Sequence, residues 1–204
     1  MKLHRRLLLS TLCLFAVHVA SANSGKVKEL DRFNKIDPKT LVAYEAKITC
    51  VSTQDSLHPK VLDMSMDYAK PGGAPRIDKQ FPVGTLGPKT AAIRFWVRSD
   101  SGTSFSAMLR GTYKRKDGRL TGFNAGSTIA SPTWTQVTIP IEKLERQGAV
   151  VWRDGAQVII KGGGAPDEDD LKGLTYFVFI TGIGGRGSST VGHLQFDGLE
   201  LVER

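Results

Sequence analysis

Cysteine is almost missing from this chain: its 204 residues include two, Cys13 and Cys50. Cys13 falls in the apolar stretch Leu7 to Val19, behind the basic group Lys2, His4, Arg5 and Arg6 and ahead of the small residues Ala20-Ser21-Ala22. That order is the pattern of a cleaved secretory signal peptide over residues 1–22, and its apolar run is too short to span a bilayer. Cys13 is followed by Leu14 and does not close the run after a small residue, which favours plain cleavage over a lipid anchor. The mature chain then keeps Cys50 alone, so the monomer has no internal disulfide and must rely on its apolar core. Cys50 stands in phase with Val42, Tyr44, Ala46 and Ile48, which predicts a buried, inert thiol.

Histidine is scarce too, with four in the chain. His58 precedes Pro59 in a loop, His193 is isolated, and no His-Glu-x-x-His spacing occurs. Gly162–Gly164 and the Gly182–Gly187 segment lack the strand, tight turn and helix of a phosphate cradle, so they read as hinge-like loops. Beyond the leader there is no apolar run long enough for a transmembrane segment. Excess charge is modest as well. Of 28 lysines and arginines, Lys2, Arg5 and Arg6 leave with the leader, so 25 stand against 20 carboxylates, a net of +5. Export with that balance argues against nucleic acid; it permits an acidic glycan or envelope polymer as partner, although an ordinary solvated basic surface is the plainer reading. The predicted location is secreted or periplasmic.

What is present is alternation. Cleavage leaves 182 of the 204 residues, enough for one domain with a real core. Residues 23–40 form a polar lead-in with a turn signal at Asp37-Pro38, and residues 41–204 the folded domain. Strands are predicted over Leu41 to Val51 and over Val61 to Tyr68, where Leu62, Met64, Met66 and Tyr68 share one face. Further strands are predicted over Ala91 to Arg98, Phe105 to Tyr113 and Trp134 to Pro140, the last ended by its proline. Ile141 to Gln147 is compatible with one helical turn, and Asp167 to Leu171 with a helix start. Leu174 to Ile180 is apolar on both faces, as a covered central strand would be. In the closing strand, Leu194 and Phe196 fall out of phase with Leu199 and Leu201, which predicts a bulge near Gly198. Short strands, regular turns and little helix make an all-β chain, a single β-sandwich of jelly-roll type.

Trp134-Thr-Gln-Val-Thr-Ile-Pro140, Leu144, Asp170-Leu171 leading into Tyr176 to Ile180, and His193-Leu-Gln-Phe-Asp-Gly-Leu-Glu-Leu201 together resemble galactose-binding-domain-like jelly rolls. The likeness is to carbohydrate-binding modules of polysaccharide-degrading enzymes and to the complex I intermediate-associated family. It implies a non-catalytic domain that takes a polysaccharide or oligosaccharide, and a structural calcium between the first and last strands. Asp197 matches the calcium position, with Asp31 of Asp31-Arg32-Phe33-Asn34 as a second ligand, although Asn34 stands where a further carboxylate would be. Asp197 is equally explained as a bulge or turn carboxylate bonded to nearby amides.

The predicted binding residues lie on the outer face of the Ala91 to Arg98 strand. Arg94, Trp96 and Arg98 alternate with Ile93, Phe95 and Val97 and stand about 7 Å apart. Trp96 in the open would stack on a sugar ring between two guanidiniums; the alternative is a ring lying under a covering loop. Asp63, Asp67, Gln136 and His193 are the polar alternates of other strands expected on such a face, each also explicable as plain surface. Trp134 reads as core and Trp152 as a loop anchor or loop-tip platform. Two further functions stay open: an envelope domain binding a protein on the same face, and a polysaccharide lyase or hydrolase built on Asp63 and Asp67 or on Arg94, His193 and Tyr176.

Overall fold

The computed structural model describes residues 25–67, 75–111, 122–153, 156–160, 162–181 and 191–204. In chain order the strands are β1 (Val27–Asp31), β2 (Leu41–Tyr44), β3 (Ala46–Ser52), β4 (Lys60–Asp67) and β5 (Arg76–Gln80). They continue as β6 (Thr90–Arg98), β7 (Ser104–Gly111), β8 (Gly122–Ile129), β9 (Thr135–Pro140) and β10 (Glu145–Arg146). After β11 (Ala149–Arg153) and β12 (Ala156–Ile160) come the helix α1 (Glu168–Gly173), β13 (Leu174–Thr181) and β14 (Val191–Glu203).

These strands build two antiparallel sheets. The first runs β3-β4-β14-β6-β9, with β1 also on β14. The second runs β10-β8-β7-β13-β5-β2, and β11–β12 is a separate hairpin. Residues Val191 to Phe196 of β14 pair with β4, and β1 takes over beside Leu199 to Val202. The polar lead-in therefore contributes a strand to the sandwich. Gly198 has a φ of +57°, and the β14–β6 register shifts between Asp197 and Glu200, which is the bulge that the change of apolar phase predicts. Past it, Leu199 and Leu201 return to the core.

Strand alternation commits one face of each sheet to phenylalanine. Phe95 of β6 and Phe196 of β14 meet Phe105 of β7 and Phe177 and Phe179 of β13. Phe179 and Phe196 have ring centroids 4.0 Å apart, and Phe95 meets Phe179 edge-on at 4.9 Å. Burying each such ring contributes roughly 1.5–3 kcal/mol of transfer free energy. Leu62, Met64, Ile93, Leu109 and Leu194 extend this layer.

Two segments differ from the periodic reading. Leu41 to Val51 is two strands, since Glu45 takes a φ of +53° and turns the chain from the second sheet into the first. The kink exchanges faces: Leu41 is buried, while Val42 and Tyr44 are exposed and Ala46, Ile48 and Cys50 pack on the core. The expected turn after Pro140 is a single 3₁₀ turn, Ile141–Lys143. Asp167 caps α1 through a capping box with Asp170, as the run of carboxylates predicts.

Asp170 also grips Arg146 through both guanidinium nitrogens, at 2.6 and 3.2 Å, with both side chains almost wholly buried. Removing one partner strands a buried charge. Asp170→Ala is expected to cost about 3–5 kcal/mol in urea denaturation, whereas replacing both residues by apolar side chains of matched size recovers most of the loss.

Candidate functional site

On the outer face of the first sheet, Arg94, Trp96 and Arg98 do project together, and each is occupied. Arg94 donates to Glu200 at 2.8 Å, across the β6–β14 register. Arg98 Nε donates to Gln195 Oε1 at 2.6 Å, and its guanidinium carbon lies 5.5 Å from the Trp134 ring centroid. Trp96 is half-buried. The His58 ring packs edge-on against it, with centroids 5.1 Å apart.

His58 is 4% exposed, although it comes from the loop before β4. It stacks on Trp134 at 4.3 Å and donates its Nδ1 hydrogen to Asp197 Oδ2 at 2.7 Å. The loop behind it closes on itself: Thr53 donates to Pro59 O, and Asp55 accepts from His58 and Leu57. An imidazole thus plugs the corner between two indoles and satisfies a carboxylate. Trp134, expected in the core, is half-buried against this plug. Histidine reads as an incidental loop residue in the sequence because Asp197 is 139 positions away.

The remaining residues of that face divide. Asp63, Arg98 and His193 come together with Ser99, Asp100 and Gln195 around a small polar pocket of about 50 Å³. Gln195 donates to Asp63 at 3.0 Å, and His193 Nδ1 lies 3.7 Å from the same carboxylate. Gln136 is exposed and pairs in register with Trp96, away from the pocket lining. Asp67 ends β4, and its side chain lies outside the described residues, as does that of Trp152. Cys50 is half-buried, with its thiol toward Phe33 O, and burial pushes that thiol up from its ordinary value.

The calcium carboxylates are differently engaged. Asp197 accepts from His58. Asp31 accepts from Phe33 N at 2.6 Å and forms an ion pair with Lys79 of the second sheet. Among the described residues, no three His, Cys, Asp or Glu side chains gather as a metal-binding group. Both carboxylates that the resemblance assigns to calcium thus already have other partners.

The outer face of the second sheet carries a stripe that the sequence reading did not assemble. Tyr44 of β2 pairs in register with Arg76 of β5, and Tyr176 of β13 with Arg110 of β7. Asp78, 3% exposed, lies between: it accepts from Arg76 Nε at 3.1 Å and from Arg110 Nη2 at 2.6 Å. The guanidinium carbons lie 4.1 Å from the Tyr44 ring centroid and 5.4 Å from that of Tyr176. Two arginines against one carboxylate leave this stripe one positive charge. The alternation Arg76, Asp78, Gln80 was its sequence signal, and Tyr44 was hidden by the face exchange at Glu45.

No protein-family model matches the chain, and no curated protein does. Solved structures do. A family 11 carbohydrate-binding module of a cellulosomal cellulase of Clostridium thermocellum aligns at a TM-score of 0.59 and 17% identity, over 88% of this chain and 96% of that one. A family 11 module from the same organism, solved with a β-1,3-1,4-mixed-linked tetrasaccharide, gives 0.58 and 18%, over 89% and 98%. An exo-β-agarase gives 0.58 and 13%, over 86% of this chain and 25% of that one. The chain has the β-sandwich fold of carbohydrate-binding modules. No helix among the described residues is long and apolar enough to cross a membrane.

Removing the imidazole plug should open the two indoles. For His58→Ala, acrylamide quenching of tryptophan fluorescence is expected to rise, with a stability loss of about 2 kcal/mol for the aromatic contacts and the charge-assisted hydrogen bond.

Proposed function

We propose that this domain binds carbohydrate on the outer face of its second sheet, without catalysis, after export from the cell. The observation that carries this is the stripe Tyr44, Arg76, Asp78, Arg110 and Tyr176, spread over four neighbouring strands. Tyrosine rings offer flat apolar surface for the C–H face of a sugar and a hydroxyl at the edge. Forked guanidinium donors suit hydroxyls and above all carboxylates, and Asp78 orders both forks in advance. Preordering lowers the entropy lost when a ligand is bound.

The fold shared with carbohydrate-binding modules supports this assignment, as does the tetrasaccharide bound to one of them. The positive balance of the stripe favours acidic sugar units, consistent with the net basic mature chain. The arrangement speaks against hydrolysis. Asp78 is the stripe's single carboxylate and is committed to two arginines, whereas glycoside hydrolysis requires a pair flanking the scissile bond. Sugar stacking is assigned first to Tyr44, which stays 42% exposed with Arg76 against its ring, and then to Tyr176 beside Arg110, in preference to Trp96, against which His58 packs.

Affinity electrophoresis against neutral and acidic polysaccharides tests the assignment. Tyr44→Ala and Tyr176→Ala are each expected to weaken binding roughly tenfold, equivalent to about 1.4 kcal/mol, and Trp96→Phe to leave it unchanged. Retention by no glycan, or tyrosine variants that bind like the wild type, would defeat it. Arg76→Gln and Arg110→Gln are expected to lower affinity for polyuronates selectively, and added salt to erase the difference between polymers.

A further inference from the structure

We infer that the seam between the first strand and the rest of the sandwich is held by a cation that the chain itself supplies, the Lys79 ammonium, and that the fold is independent of calcium. The argument begins with alternation in β5. Ile77 and Lys79 point inward and Asp78 outward, so a lysine side chain is directed toward the core layer, where it is 8% exposed. A buried ammonium must find oxygen. Lys79 pairs with Asp31 at the end of β1, and it donates to Thr40 Oγ1 at 3.1 Å.

Asp31 lies opposite Leu199 of β14, so its carboxylate stands where the first and last strands meet. The contact also ties β1, in the first sheet, to β5, in the second. A second carboxylate lies within the field of the same ammonium. Asp37 is held below its ordinary range first by the Lys39 backbone N–H, and in smaller part by the Thr40 hydroxyl and the Lys79 charge. One buried positive group thus holds oxygens of Asp31 and Thr40 together at the seam.

Calcium has no comparable opening here. To take Asp31 it must displace the ammonium, leaving Lys79 buried without its counter-ion. Asn34 adds no charge at the seam, and Asp197 is engaged by His58. The exchange of ligands would bury a second positive charge beside the first.

The test is thermal unfolding of the mature wild-type chain in EDTA and in calcium chloride at about 5 mM, above the dissociation constants of roughly 10⁻⁴–10⁻³ M typical of extracellular calcium modules. Coincident melting temperatures are expected. A calcium-dependent rise of several degrees would overturn the inference, because a ligand that binds only the folded state must raise the melting point. Lys79→Met is expected to lower the melting temperature by several degrees, and Asp31→Asn combined with Lys79→Met to regain part of that loss. A Lys79→Met protein that melts with the wild type would show that the ammonium does not hold the seam. Should Lys79→Met fail to fold, the wild-type calcium comparison still decides the matter.

Discussion

The structure depends on the meeting of phenylalanines across its midplane. Phe179 of β13 lies 4.0 Å from Phe196 and 4.9 Å from Phe95, so the longest strand of the first sheet and the central strand of the second are packed through one ring. Because β side chains alternate, committing those positions inward forces their neighbours outward. Phe95 and Val97 place Trp96 on one outer face, and Phe177 and Phe179 place Tyr176 on the other, where Val178 beside it is covered at 1% exposure. The composition of both outer faces follows from how the core is filled.

The two outer faces have been used differently. On the first sheet the aromatic surface is closed from within by an imidazole that stacks on Trp134, meets Trp96 and bonds Asp197. What remains there is a small polar pocket whose groups bond largely to one another. On the second sheet the aromatics are tyrosines beneath arginines whose forks are ordered by a buried carboxylate. Tyr44 remains 42% exposed. An accessible ring beside ordered donors is the arrangement that recognition of a flat, hydroxylated ligand calls for.

Charge within the sandwich is managed in pairs. Arg146 and Asp170 fasten β10 to the first turn of α1, Asp78 sits between two guanidiniums, and Lys79 meets Asp31. Each keeps a buried ion from being stranded, which costs more than the pair gains over an apolar replacement. Such pairs specify a geometry more than they add stability. With Cys50 free among the described residues, the apolar core remains the main source of cohesion.

Much of the sandwich could be read from the residues because its cause is local. Alternation from Ile93 to Arg98 assigns faces within a strand, the phase change around Gly198 marks a bulge, and the carboxylates from Asp167 to Asp170 announce a helix start. Covering and pairing were decided elsewhere. No pattern near Trp96 reveals that His58 will lie against it, and the exposure of Tyr44 depends on one positive φ at Glu45. Asp78 and Arg110, 32 positions apart, meet only after β13 has come between their strands. Periodicity is a property of consecutive bonds and belongs to the sequence alone. Which side chain another covers or neutralises is set by contacts between distant segments, and these exist only once the two sheets have closed.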